Sequence, residues 1–184
     1  MGPKVYIETD RLLIRQWRDE DLDPFFYLNS NPEVMRYFPK LLSRKESDSF
    51  AHKVSAQIDK NGYSFWAIEW KGRSEFVGTM GINDVNFKAH FTPAIEIGWR
   101  LDNKFWRKGL GFEGAKAILD YAFNSLMIKE VVSFTSSINK SSIGLMEKIG
   151  MKRDTRGDFD HPNVEASNPL RSHILYRIGV SNSN

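Results

Sequence analysis

The spacing of hydrophobic and polar positions changes several times along the chain, and each change marks an element. Residues 11–17, RLLIRQW, alternate with a period of two, as a strand does. Asp19 stands where a helix cap would, predicting a helix to about Asn29. Asn31-Pro32 opens a short second helix with proline in its first turn. Ser43-Arg44-Lys45-Glu46 is a capping box that predicts a helix to about Lys60, ended by Gly62. YSFWAIEWKG and EFVGTMGINDV are rich in β-branched and aromatic residues and read as two strands joined by a tight turn at Lys71-Gly72-Arg73. PAIEIGWRLD, residues 93–102, reads as a further strand.

From Gly111 the period becomes helical, with Ala115, Ile118, Leu119, Ala122, Phe123 and Leu126 recurring three and four apart. EVVSFTS (130–136) is a strand. Asn139 then caps a helix that stops at Gly150, a left-handed cap. FDHPNVEASNPL (159–170) has the Pro, Asn and Ser content of a loop, and SHILYRIGV closes the pattern as a strand. The order β-α-α-α-β-β-β-α-β-α-β-β predicts a mixed α/β sheet in one domain, 1–184, without repeats or linkers.

Composition narrows the classes. The chain is 41% hydrophobic and 27% charged, ordinary for a globular protein. It has no cysteine, which removes disulfides, thiolate nucleophiles and cysteine-based zinc sites together and fits a cytoplasmic protein. No apolar run approaches the roughly 18 residues of a membrane span, and MGPKVYIETDR lacks the apolar core of a signal peptide. A net charge of +3 leans basic, but WRDEDLD and DFDH are acidic while WRKG and MKRD are basic. Without a dense basic stripe, nucleic acid is not an expected partner. The four histidines share no ligand spacing, so no metal is expected.

FWRKGLGFEGAKAIL (105–119) admits two readings. Gly109, Gly111 and Gly114 spell G-x-G-x-x-G, a dinucleotide fingerprint. That site requires a direct turn from strand to helix and an acid at the end of the next strand. Here Asp102–Lys108 intervene, and the next strand ends in Thr135-Ser136, with its only acid, Glu130, at the start. Both conditions fail. The shorter reading needs Arg107–Phe112 alone: glycines that let backbone N–H groups approach a pyrophosphate at a helix N-terminus. A plain strand-to-helix turn with solvated basic residues explains those letters equally well.

Taken with its neighbours, the stretch resembles the GNAT superfamily of acyl-CoA N-acyltransferases. AIEIGWRL, then FWRKGLGFEGAKAIL, then NKSSIGLMEKIGMK match the superfamily's pyrophosphate motif and the Asn-containing helix that follows it. Within it, ETDRLLIRQWRDEDLDPF, NPEVMRYF and HPNVEASNPLRSHILYRI resemble the RimJ/RimL-type ribosomal-protein N-acetyltransferases. The resemblance spans about residues 7–180 and implies an α+β GNAT fold, a twisted mixed sheet of six to seven strands flanked by helices. Its two central parallel strands, AIEIGWRL and EVVSFTS, would splay around acetyl-CoA. The resemblance further implies pantetheine on the backbone of Gly98, Trp99, Arg100 and Leu101. The pyrophosphate would lie on the N–H groups of Arg107, Lys108, Gly109, Leu110, Gly111 and Phe112. Where the general motif has Gln or Arg, this chain has Trp106, as is common in the RimJ/RimL branch.

Acetyl transfer to an amine explains further positions. The amine attacks only when neutral, yet its pKa lies near 10.4 in lysine and 7.7–8.0 at an α-amine. A base must therefore take a proton, directly or through water, and the thiolate leaves more readily with a donor nearby. Strand alternation puts Glu96, Gly98 and Arg100 on one face and Ile95, Ile97, Trp99 and Leu101 on the other. Glu96 is the candidate base, with a carboxylate paired to a nearby arginine as the equal alternative. The tyrosine that serves as proton donor in much of the superfamily is replaced by Met146. Ser142 resembles the serine proposed in its place in the RimJ/RimL branch, and an ordinary first-turn serine is the other reading. Asn139 is first a helix cap and can also offer its amide to pantetheine. His161 lies in a loop of the kind that walls an acceptor pocket, although a surface histidine is the commoner role. Phe65, Trp66, Trp70, Trp99, Phe105 and Trp106 read mostly as core and sheet packing.

The expected function is acetyl-CoA-dependent N-acetyl transfer to a primary amine by direct attack in a ternary complex. A non-catalytic acyl-CoA-binding module with a regulatory role is the alternative. The acceptor, protein N-terminus or small molecule, is left open, as is assembly, a homodimer included.

Overall fold

Each change of period becomes an element in the computed structural model, which describes residues 2–180. The strands are β1 (Val5–Glu8), β2 (Leu12–Arg15), β3 (Phe65–Trp70), β4 (Glu75–Asp84), β5 (Ile95–Leu101), β6 (Glu130–Ser136), β7 (Lys152–Asp160) and β8 (Ser172–Gly179). The helices are α1 (Leu22–Ser30), α2 (Pro32–Met35), α3 (Arg44–Asn61), α4 (Leu110–Asn124) and α5 (Lys140–Lys148). The caps follow the local chemistry: Asn31 accepts from the Glu33 N–H, Ser43 and Glu46 form the capping box, and Gly62 takes φ +81° at the end of α3. Asp19 does not cap. It lies in a 3-10 turn, Asp19–Asp21, and the Asp21 carboxylate instead accepts the Arg18 N–H at 2.8 Å and pairs with the buried Arg15.

One sheet of eight strands forms in the order β1-β2-β3-β4-β5-β6-β8-β7, more than the six to seven expected. Strand β1 is only four residues at an edge, too short to show a period. Strand β7, KRDTRGDFD, is charged and largely exposed along its length, as an outer strand has to be, and so carries no apolar signal. It takes Phe159 and Asp160 out of the expected loop, which begins instead at His161.

Helices α1 and α3 cover one face of the sheet, where Trp17, Phe25, Phe50, Phe65 and Phe76 meet ring to ring. Helix α4 covers the other, burying Ala115, Ile118, Leu119 and Ala122. A Cβ on Gly114 would lie 2.9 Å from the Met80 sulfur, so the third glycine of the G-x-G-x-x-G pattern is there for helix–sheet contact. A smaller core of Phe91, Val132 and Leu175 lies under the connection between β4 and β5.

The site is positioned by the junction of β5 and β6. These strands run parallel and share a single ladder pair, Glu96↔Val132, bridged further by the Ser133 hydroxyl donating to the Ile97 carbonyl at 3.0 Å. On its other edge β5 pairs with β4 along its whole length, from Ile95↔Asp84 to Leu101↔Gly78. Beyond Gly98 the edge of β5 that faces β6 is therefore left without a strand partner.

Candidate active site

The gap between β5 and β6 opens into a cleft of about 1210 Å³. Its walls come from β5, β6, the N-terminus of α4, helix α5, the residues after α2 and the loop after β7. Polar groups converge there from several elements on an otherwise apolar lining, the usual make-up of a small-molecule site.

One end is the glycine stretch. Arg107 has φ +58° and Gly109 φ +79°, which turns successive N–H groups inward before α4 begins. Gly109 is the N-cap residue and supplies no side-chain oxygen, so the N–H groups of Leu110, Gly111 and Phe112 face the cleft mouth without a cap. Two residues outside the sequence expectation secure this turn. Arg11 donates to the Lys108 carbonyl at 2.8 Å and pairs with Glu113 at 2.6 Å, and Thr9 donates to the same carboxylate at 2.6 Å. About a hundred residues separate these partners, so no local pattern could announce the link. Trp106 is a brace rather than a ligand in this geometry, its indole N–H donating to the Leu101 carbonyl at 2.9 Å.

The middle of the cleft holds Asn139 and Ser142. Asn139 caps α5 by accepting the Ser142 N–H at 3.2 Å, while its amide donates to Thr135 Oγ1 and to Ser142 Oγ. Trp99 Nε1 donates to the same Ser142 oxygen at 3.3 Å. Two donors on that oxygen leave the hydroxyl hydrogen free to point elsewhere. Met146, the replacement for a tyrosine, is fully buried.

Alternation along β5 is as expected from the sequence. Trp99 reaches α5 and Leu101 reaches Gly111 of α4, whereas Gly98 faces Phe65 and Arg100 faces Phe38 and Phe50. Glu96 shares the second face. Among the described residues no arginine pairs with it; burial alone pushes its carboxyl up to about 7. A carboxylate titrating near neutrality in a cleft is the arrangement that proton transfer needs.

Among proteins of known sequence, a family model described as "Acetyltransferase (GNAT) domain" matches residues 11–152. The chain belongs to the GNAT acetyltransferases. It is an N-acetyltransferase of the RimJ/RimL type. YkkB of Bacillus subtilis (strain 168) is 32% identical over 152 residues, covering 82% of this chain and 87% of that protein. A GNAT-family acetyltransferase from Bacillus anthracis has the same fold, with TM-score 0.77 and 26% identity over 94% of this chain and 97% of that one. The fold is shared at TM-score 0.73 and 18% identity with a spermidine N-acetyltransferase from Vibrio cholerae solved with CoA and spermine, over 93% and 96% of the two chains.

In this GNAT chain the far end of the cleft is walled by Phe38, Phe134, His161 and His173. His161 is no free surface residue: its ring lies 4.7 Å from Phe87 and 4.9 Å from His173. Burial, then His173, pushes it down to about 4, so it is neutral near pH 7. Its Nδ1 accepts the Asn163 N–H at 3.2 Å, which assigns the proton to Nε2. His173 and Phe134 were not singled out from the sequence; the period-two pattern of β6 and β8 marks their strands but not which face meets the cleft. Among the described residues no group of three His, Asp or Glu side chains is placed to hold a metal ion, and no helix is long and apolar enough to cross a membrane.

Proposed function

We propose that this enzyme transfers the acetyl group of acetyl-CoA to a primary amine by direct attack within a ternary complex. The observation that carries the reading is one cleft with an uncapped helix N-terminus at its mouth and an unpaired, raised carboxyl at its centre. Acetyl-CoA supplies the activated acyl group. The residues present fit it: the Arg107–Phe112 turn offers N–H groups to the pyrophosphate, with Arg107 beside it, whereas the Lys108 ammonium lies over the Trp70 and Phe105 rings and lines no part of the cleft. Along Gly98–Leu101, β5 has no strand partner toward β6. There the Trp99 N–H and C=O and the Leu101 N–H offer hydrogen bonds to pantetheine, while Gly98 and Arg100 turn their backbone groups to β4 and Trp106 holds the Leu101 carbonyl. Asn139 holds the Ser142 hydroxyl against the same channel.

Glu96 takes the proton from the attacking amine, directly or through one water. A carboxyl near 7 is well matched to that task, because an acid or base works best with its pKa close to the working pH. Ser142 keeps its hydrogen available to the leaving sulfur. With no cysteine in the chain, an acetyl-cysteine intermediate has no nucleophile. The acceptor lies in the part of the cleft walled by Phe38, Phe134 and His161.

The test is turnover of acetyl-CoA over a panel of peptides, aminoglycosides, polyamines and amino acids, with Glu96→Gln as the control. Acetylation of an amine that falls about 100-fold in Glu96→Gln supports the reading. Acetyl-CoA binding without transfer to any amine would favour the regulatory module. Equal rates in both proteins would remove Glu96 from the mechanism.

A further inference from the structure

Arg15 is a buried arginine and Arg100 a half-buried one in the cleft wall, and they are satisfied in opposite ways. The Arg15 guanidinium donates three hydrogen bonds to the carboxylates of Asp21 and Glu69 and one to the Gln16 carbonyl, as a structural cation should. Arg100 has no carboxylate among the described residues. Its Nη1 donates to the neutral Asn29 Oδ1 at 2.5 Å, and its guanidinium carbon lies 4.1 Å from the Phe38 ring centre and 5.6 Å from that of Phe50. Among the described residues neither the buried Nε nor Nη2, which is not closed off, has a hydrogen-bond partner. Burial draws the group down to about 10, which leaves it a cation near neutrality.

A buried cation without a counter-ion is costly, and structures keep one where something else pairs with it. The Nε–Nη2 edge is one of the two forks with which arginine grips a planar oxyanion by paired hydrogen bonds. Asn29 occupies Nη1 and is itself fixed by donating to Ser47 at 2.9 Å, so the free edge is oriented. Arg100 lines the cleft on the strand face it shares with Glu96, turned away from the pyrophosphate turn. The two are four positions apart on the strand, roughly 13 Å between their backbones. The other carboxylate on this side, Glu33, is engaged by Asn103 at 2.5 Å.

We infer that Arg100 binds an anionic group of the acceptor, so that the amine acetylated here belongs to a molecule that also carries a carboxylate or a phosphate several bonds away. This rests on acetyl transfer occurring in the cleft. The anion lies against Nη2, the open end of the Nε–Nη2 edge, beneath Phe38, and the amine lies toward Glu96. Polyamines, which would place a second cation beside Arg100, are poor acceptors.

The test uses the full chain with acetyl-CoA and four matched probes: aminohexanoate, aminohexyl phosphate, aminohexanamide and hexanediamine. Butanoate and octanoate homologues of the amino acid vary the span. The expected result is kcat/KM at least about 30-fold higher for one anionic probe than for the amide, the scale of a buried charge contact. The carboxylate and phosphate arms show which anion is read. In Arg100→Met that ratio collapses toward one, and in Arg100→Lys, which keeps the charge without the fork, it falls part-way. A merely structural arginine would lower activity toward all probes alike and leave the ratio intact; that result, or equal use of amide and anion by the parent, overturns the inference. If no probe is acetylated, the transfer reading fails for this series, and binding decides separately. Hexanoate or hexyl phosphate should raise the melting temperature of the parent in the presence of CoA but not that of Arg100→Met; no difference between the two overturns the inference. Should Arg100→Met fail to fold, the comparison of parent with Arg100→Lys carries both arms.

Discussion

Replacing Glu96 with glutamine should make the enzyme slower and more stable at once. Burial raises the Glu96 carboxyl from its ordinary 4.5 to about 7, with no partner to offset the loss of water. The folded state thus holds the proton more tightly than the unfolded chain does. Its contribution to stability is fully present below pH 4.5 and is lost as pH rises through 7. At 1.36 kcal/mol per decade, that interval corresponds to about 3 kcal/mol lost by pH 8. Glutamine is close in shape and never ionises. The difference in unfolding free energy between Glu96→Gln and the parent should be near zero at pH 4.5 and approach about 3 kcal/mol in favour of the variant at pH 8. For a chain of this size that is about 6–12 °C in Tm. Urea unfolding of both proteins at several pH values measures it, and the subtraction removes every other titrating group. A difference independent of pH, or a variant less stable at pH 8, would refute the picture of an unpaired buried carboxylate. In turnover assays the parent's rate should rise with pH through about 7 as the base deprotonates.

Other perturbations separate the parts of the site. Gly109→Glu places a charged side chain on a φ of +79° in the anion turn, so calorimetry should show CoA binding abolished, and an unchanged affinity would contradict the placement. Ser142→Ala should lower kcat by roughly 10–100-fold with little change in KM for acetyl-CoA, whereas a plain helix serine would leave kcat intact. Arg11→Ala frees the Lys108 carbonyl and Glu113, and should weaken CoA binding about tenfold although Arg11 does not line the cleft. Asp21→Ala strips the fully buried Arg15 of one of its two carboxylates and should cost about 3–5 kcal/mol in urea unfolding.

The parts legible in the sequence were those with local causes. Ser43 with Glu46, Asn139 with Ser142, and the glycines at 62 and 150 each settle a helix end within a few residues. The Arg107–Phe112 turn was legible only because the strand before it and Asn139 after it narrowed the choice. Strand β7 was not bounded, because its neighbours lie on one side only and its exposed faces accept charge. The support of the Arg107–Phe112 turn by Thr9, Arg11 and Glu113 was hidden for a different reason: its partners meet through the fold. The same holds for Glu96. The alternation along β5 predicts its face, but whether an arginine waits opposite is a question about α1 to α3. There Arg100 turns toward Phe38 and Asn29 instead, which leaves the carboxylate alone.

The single ladder pair between β5 and β6 also has a mechanical consequence. Strands β1–β5 and β6–β8 are two half-sheets joined by one ladder pair, Glu96↔Val132, and the adjacent Ser133–Ile97 hydrogen bond. A ligand hydrogen-bonded along β5 on one side and capped by α5 on the other would serve as the missing cross-brace between the halves. Loading the cleft should then slow amide exchange along β5 and β6 and also in the part of β8 beyond His173, which does not line the cleft. The co-substrate would be, for as long as it stays, part of the sheet.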